Sequence, residues 1–261
     1  MNALAARRRH PAAIAILLFL GLVLVGTAYS LLAPKSAQAS APSADDVATG
    51  RQLFLANCAT CHGLNAQGTQ SGPTLVGVGA ASVDFQVGTG RMPLPGPGVQ
   101  AQRQNEIKFS EEEIAAMASY VASLAPGPAI PSEEQLNTEG ADVALGGEIF
   151  RVNCAMCHNF AGAGGALTRG KYAPTLKGVE GKDIYEAMLT GPQSMPVFND
   201  QNISPENKKN IIAFIDESYS QANQGGMNLG NLGPVSEGMF IWIFGLGIMV
   251  AVAVWLGSKA A

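Results

Sequence analysis

Gly50-Arg51-Gln52-Leu53-Phe54-Leu55-Ala56-Asn57-Cys58-Ala59-Thr60-Cys61-His62 is matched by Gly146-Gly147-Glu148-Ile149-Phe150-Arg151-Val152-Asn153-Cys154-Ala155-Met156-Cys157-His158. Downstream of each copy the likeness continues. Pro73-Thr74-Leu75-Val76-Gly77-Val78 answers to Pro174-Thr175-Leu176-Lys177-Gly178-Val179, and Thr89-Gly90-Arg91-Met92-Pro93 to Thr190-Gly191 followed by Met195-Pro196. Each copy then closes in an amphipathic helix. Four blocks in the same order mean two tandem domains of roughly 80–95 residues each. The repeat sets them at 43–125 and 138–222, joined by a Pro-rich connector over 126–137 that reads as extended and semi-rigid. A Gly- and Asn-rich linker follows over 223–238.

The closing helices carry their own start signals. Ser110-Glu111-Glu112-Glu113 reads as a capping box, and Ile114, Met117, Ala118, Val121 and Leu124 fall on one stripe. In the second copy Ser204 is the N-cap and Pro205 the first helical residue, with Ile211, Phe214 and Ile215 as the apolar face. No strand-period alternation is evident, so the expected class is all-α with long loops.

Cys-x-x-Cys-His is the attachment signature of c-type haem. Two cysteines three residues apart can form thioethers to the two vinyl groups of one porphyrin, and the following histidine then lies under the iron. His62 and His158 are the candidates. A zinc site would pair two Cys-x-x-Cys units about 15–20 residues apart, whereas these lie 96 residues apart, each in its own repeat. A thioredoxin-like pair would not require a histidine after both motifs. All four cysteines are used by two covalently bound haem c groups, and only His10 is left over.

Met/His ligation is the usual electron-transfer arrangement. Met92 and Met195, each in a loop before a proline and at matched places in the repeat, are the expected sixth ligands. Met117 and Met188 read as packing, and Met156 lies between the cysteines with no route to the far face. Two saturated irons favour an electron carrier over a peroxidase, with no catalytic residue and no substrate-converting site in the chain itself.

The ends are apolar. Ala12–Leu32 has no charge over a helix length of about 31 Å, enough for a bilayer core of about 30 Å. Met239–Leu256 is a second such run, with Trp242 and Trp255 near its ends. The expected spans are 12–33 and 239–257. Arg7, Arg8 and Arg9 precede the first and Lys259 follows the second. Pro34–Gly238 holds 12 Lys and Arg against all 20 Asp and Glu, a net charge of −8. By the positive-inside rule both tails, 1–11 and 258–261, are cytoplasmic and the middle is external. The length of the first run favours a retained anchor over a signal peptide cleaved after Ala37-Gln38-Ala39. A net charge of −4 for the whole chain offers no basic surface for nucleic acid.

Each repeat resembles a class I cytochrome c domain in its N-terminal helix, Cys-x-x-Cys-His, Pro-Thr-Leu, Met-Pro loop and closing helix. In that family the matching proline carbonyl, here that of Pro73 or Pro174, accepts a hydrogen bond from the proximal histidine. The whole chain is similar to the dihaem cytochrome c subunit of the actinobacterial-type menaquinol–cytochrome c reductase, the respiratory cytochrome bc complex. The stretch Asn228-Leu229-Gly230-Asn231-Leu232-Gly233-Pro234 leading into the second apolar run carries that likeness most specifically. The resemblance implies a cytochrome b subunit and a Rieske iron–sulfur subunit as partners, the latter delivering electrons to one of the two haems; the order of flow is not encoded in the motifs, and we take the Cys58–His62 haem as the first. It also implies an aa-type cytochrome c oxidase as acceptor in a supercomplex, and proton-translocating oxidoreductase activity for the assembly. A dihaem subunit of a cbb-type oxidase is an alternative that lacks a reason for the C-terminal anchor, and a dihaem cytochrome c peroxidase is another. The loop Pro93–Gln104 has no counterpart in the second copy; docking on a partner subunit and covering a haem edge both fit it.

Overall fold

A computed structural model describes residues 11–32, 43–96, 98–220 and 234–259. Arg7–Arg9, His10, the Ala37–Ala39 site and Asn228–Gly233 lie outside them. Helix α1, Pro11–Leu32, belongs to a unit of its own. Its segment Ala12–Tyr29 has a mean hydropathy of 2.4 with none of it buried.

In the first domain, α2 (Ala44–Asn57) and α5 (Glu111–Leu124) make the principal helix pair, with α3 (Ala59–His62) and α4 (Gly79–Gly88) between them in sequence. The second domain repeats this with α7 (Val143–Asn153), α8 (Ala155–His158), α9 (Gly181–Thr190) and α10 (Pro205–Ser220). The two principal pairs cross in the same way. A Cβ on Gly50 would overlap the carbonyl of Ala116, and one on Gly146 the carbonyl of Asn210. Glycine therefore lets the backbones meet. One turn later Phe54 packs on Tyr120 with ring centroids 5.3 Å apart, and Phe150 on Phe214 at 5.4 Å. Such aromatic pairs contribute about 0.5–1.5 kcal/mol beyond their buried area.

The helix signals are realised. Ser110 and Glu113 form the capping box, and Ile114, Met117, Ala118 and Val121 are buried. Ser204 Oγ accepts from Asn207 N at 3.3 Å, and α10 starts at Pro205. Ile211 and Ile215 are buried, as is Ile212 beside them.

Two features depart from the expectation. A small antiparallel ladder, β1 (Gly165–Ala166) with β2 (Tyr172–Ala173), lies in the second domain. The histidine and proline of the repeat are 11 residues apart in the first copy and 16 in the second, and the hairpin takes up the difference. Strands of two residues leave no alternation to read. The connector is also more structured than a spacer: Ala81 N donates to Pro128 O at 3.1 Å, and a helical turn, α6 (Glu133–Leu136), is capped by Ser132 and Gln135.

The C-terminal apolar segment comprises α11 (Pro234–Phe240), a π-helical stretch Ile241–Leu246 and α12 (Gly247–Lys259). Ser236–Lys259 has a mean hydropathy of 2.5, and its apolar side chains, Trp242 and Trp255 included, are exposed. Both apolar segments are long enough to cross a membrane.

Candidate functional site

The local fold presents each Cys-x-x-Cys-His alike. Helix α2 ends at Asn57 and α7 at Asn153. The next residue, Cys58 or Cys154, keeps its N–H on the carbonyl of Phe54 or Phe150, 2.8 Å in both copies. A short turn then carries the second cysteine and the histidine, with His62 N on Cys58 O at 3.0 Å and His158 N on Cys154 O at 2.9 Å. The chain leaves through positive φ at Gly63 and Asn159, residue types that tolerate the left-handed region.

The Pro-Thr-Leu blocks are pinned beneath these turns. Leu75 N donates to Ala66 O and Leu176 N to Gly162 O, each at 2.8 Å. This holds Pro73 O 2.8 Å from His62 Nδ1 and Pro174 O 3.0 Å from His158 Nδ1. A carbonyl can only accept, so Nδ1 carries the proton and Nε2 is left unprotonated, with a lone pair able to bind a metal. Burial pushes the His158 imidazolium pKa down against the Pro174 bond, which favours the neutral ring a metal requires.

The methionine loops start from a shared device. Thr89 and Thr190 each donate a hydroxyl hydrogen bond to the helix carbonyl four residues back, that of Phe85 or Glu186, and Gly90 and Gly191 take positive φ to turn the chain out. Met92 N then bonds Gln86 O at 2.9 Å, and Met92 packs against the first core with Cys58. In the second domain Phe198 N bonds Met188 O at 2.7 Å. Buried Lys208 ties the end of the loop to α10 through Asp200 and Ile203 O, both at 2.7 Å. Met195 thereby joins the second core.

In the second domain these parts line one crevice. Cys154, Cys157, His158, Pro174 and Met195 lie on its walls with Phe150, Leu176, Ile184, Met188, Phe198, Ile211 and Ile215. An apolar slot with two thiols, one oriented imidazole and a thioether fits a porphyrin. Burial raises the thiol of Cys154 to about 11 and that of Cys58 above its ordinary value. A thioredoxin-like pair needs the opposite shift. Among the described residues no three His, Cys, Asp or Glu side chains converge as a metal cage would need. Of the methionines set aside in the sequence, Met117 is core, whereas Met188, which is buried, and Met156, which is 88% exposed, both line the crevice.

Sequence reasoning did not anticipate that the first domain completes this crevice. Phe85, Arg91, Gln100 and Arg103 line it. The side-chain amide of Gln100 pairs with the backbone of Tyr172, donating at 2.8 Å and accepting at 2.9 Å. Gln193 does the same to Ala101, accepting at 3.0 Å and donating at 2.7 Å. Helix α4 lies against α9, where Lys182 pairs with Asp84 and Arg103 with Asp183 at 3.9 Å. The end of the loop 93–104, at Gln100–Arg103, lies against the other domain's crevice. The missed signal was the two glutamines, whose amides can each pair with a backbone peptide in both directions.

Comparison with known proteins agrees with this architecture. Residues 47–125 match the cytochrome c family model, and residues 141–215 the model for cytochrome c oxidase, cbb3-type, subunit III. The chain is 43% identical to the cytochrome bc1 complex cytochrome c subunit of Corynebacterium efficiens, covering 97% of this chain and 90% of that one. It is 42% identical to the subunit of the same name from Mycobacterium leprae, covering 94% and 87%. A cbb3-type oxidase subunit from Azospirillum is 32% identical over only 50% of this chain, so the oxidase likeness is confined to part of its length. With cytochrome c folds in both halves and apolar helices at both ends, the chain belongs to the cytochrome c subunits of the cytochrome bc1 complex, membrane electron-transfer proteins built on c-type haem.

Proposed function

We propose that the chain holds two haem c groups, one on Cys58, Cys61 and His62 with Met92, the other on Cys154, Cys157 and His158 with Met195. The matched histidine-to-proline bonds and the crevice that gathers Cys154, Cys157, His158 and Met195 carry this reading. When bound, such a group supplies one-electron oxidation and reduction without a change of ligands. The residues do the rest. Pro73 and Pro174 fix the imidazole planes, the apolar walls exclude water, and the Thr-Gly turns present the thioethers.

The chain then stands between a Rieske iron–sulfur subunit as donor and an aa-type oxidase as acceptor, beside a cytochrome b subunit. The first domain lies on the donor side, and proton translocation belongs to the assembly. Both tails are cytoplasmic and both haem domains external, a topology that the basic tails and acidic middle support.

The test is purification in mild detergent with mass spectrometry of the intact chain and its co-purifying subunits. Two porphyrins of added mass, with cytochrome b, Rieske and oxidase chains present, are expected. A chain at its bare polypeptide mass would end the reading.

A further inference from the structure

Arg91 belongs to the first domain by sequence, one residue before Met92, yet its side chain lines the crevice of the second. The guanidinium carbon lies 4.6 Å from the centroid of the Phe85 ring, which also lines the crevice. A planar cation stacked on an aromatic face is held in place by it. Its Nη1 is buried and has no hydrogen-bond partner. Arg103 lies on the same wall and is engaged at 3.9 Å by Asp183. Two cations and one carboxylate therefore face a slot whose walls are mostly apolar, its other polar lining residues being uncharged amides and hydroxyls and His158, which leaves one positive charge and at least one buried N–H donor unmatched. A buried donor without a partner costs free energy unless the crevice's occupant supplies an acceptor.

Resting on the two-haem reading above, we propose that Arg91, with Arg103 beside it, is an anion site lent by the first domain to the second crevice, and that it binds a propionate carboxylate of the second haem. A guanidinium fork matches a carboxylate in shape and charge. The second site is thereby built from both domains. Its cofactor is tied to the segment that carries Met92, so the two centres share one piece of chain. The charge also acts on the redox equilibrium: a nearby cation favours the reduced, more negative state. Removing it lowers the affinity of the second centre for its electron.

The experiment is an optical redox titration of the full chain within the complex, for the wild type, Arg91→Gln, Arg91→Lys and Arg103→Gln. The second couple is the one that moves in Met195→His. Arg91→Gln is expected to cut the ratio of reduced to oxidised second haem about tenfold at fixed ambient potential, a fall of about 59 mV for a one-electron couple. Arg91→Lys recovers most of that shift, and Arg103→Gln moves the same couple in the same direction. The first couple moves less than the second, and the mass shows two porphyrins throughout. Should Arg91→Gln fail to assemble, Arg91→Lys and Arg103→Gln still decide: a second couple unmoved in Arg103→Gln overturns the site. A fall confined to the first couple overturns it as well. A wild-type mass short of two porphyrins would instead sink the two-haem reading, a result separable from two porphyrins with an unmoved second couple.

Discussion

Replacing Glu186 by glutamine should flatten the alkaline stability profile of this protein. Glu186 lies on α9 where it packs against α4, is fully buried, and has no N–H or hydroxyl donor at either carboxyl oxygen. Burial, followed by the neighbouring carboxylate of Asp84, raises its pKa to about 9; Lys182 pulls the other way and Asp183 adds a smaller push upward. The group is therefore protonated at neutral pH, and the neutral acid can donate to Asp84, which also pairs with Lys182. In the unfolded chain it ionises near its ordinary value of 4.5. Between those two values the folded state holds one more proton than the unfolded state. Its contribution to stability is then full below the lower value, falls as pH rises, and is gone above the upper one. The slope is about 1.4 kcal/mol per pH unit, so about 2.7 kcal/mol is lost between pH 6 and pH 8. Glutamine has the same shape and no titration. Denaturant unfolding of the wild type and Glu186→Gln across pH 5 to 9 isolates this group with the Asp84, Lys182 and Asp183 charges coupled to it, because titrations elsewhere cancel in the difference. Glu186→Gln should gain on the wild type steadily with pH. Parallel curves would refute the assignment of a buried proton to Glu186.

Other outcomes follow from the packing. Gly146→Ala should destabilise by about 1–3 kcal/mol or more, since its Cβ has no room against Asn210 O, whereas Gly88→Ala, with nothing within 4 Å of the new carbon, should be neutral or slightly stabilising; denaturant midpoints compare the two. Gln100→Ala removes two hydrogen bonds to the Tyr172 backbone and should cost about 1–3 kcal/mol, read as faster amide exchange at Tyr172 with exchange in α2 unchanged. Ser110→Ala breaks the capping box of α5 and should cost about 1 kcal/mol in the same unfolding assay.

How far the sequence reaches can be judged residue by residue. Cys58, Cys61 and His62 lie within one five-residue stretch, as do Cys154, Cys157 and His158, so their chemistry needs no tertiary information. Ser110, Ser204 and Pro205 mark helix starts through local backbone hydrogen bonding, which depends on neighbours three residues away. The domain boundary in space depends on contacts up to 92 residues apart, such as that of Ala101 with Gln193, and no local pattern encodes these. Glu186 left one trace. Counting from the matched Pro-Thr-Leu blocks, it occupies the position of Phe85 in the first copy, and both residues are buried. A charge where the twin repeat carries an aromatic ring marks a place where the two copies face something different.

That comparison extends to most of the interface. Asp84 stands where the second copy has Tyr185, Lys182 where the first has Ala81, and Asp183 where the first has Ser82. Gln100 and Arg103 lie in the loop that only the first copy has. Residues shared by the repeats therefore build two like sites: the glycine crossings, the Cys-x-x-Cys-His turns, the proline carbonyls and the Thr-Gly-initiated methionine loops. Residues that differ join one site to the other. Exchange of electrons between the two proposed centres requires them to be held at a fixed separation, and under that proposal the task falls to the unshared set. Substitutions there, such as Lys182→Ala, should therefore slow exchange between the centres while leaving haem attachment intact. Substitutions in the shared set, such as Cys157→Ala, should weaken attachment in their own domain first. Equal loss of attachment from both kinds of change would mean that the domains do not form their sites independently.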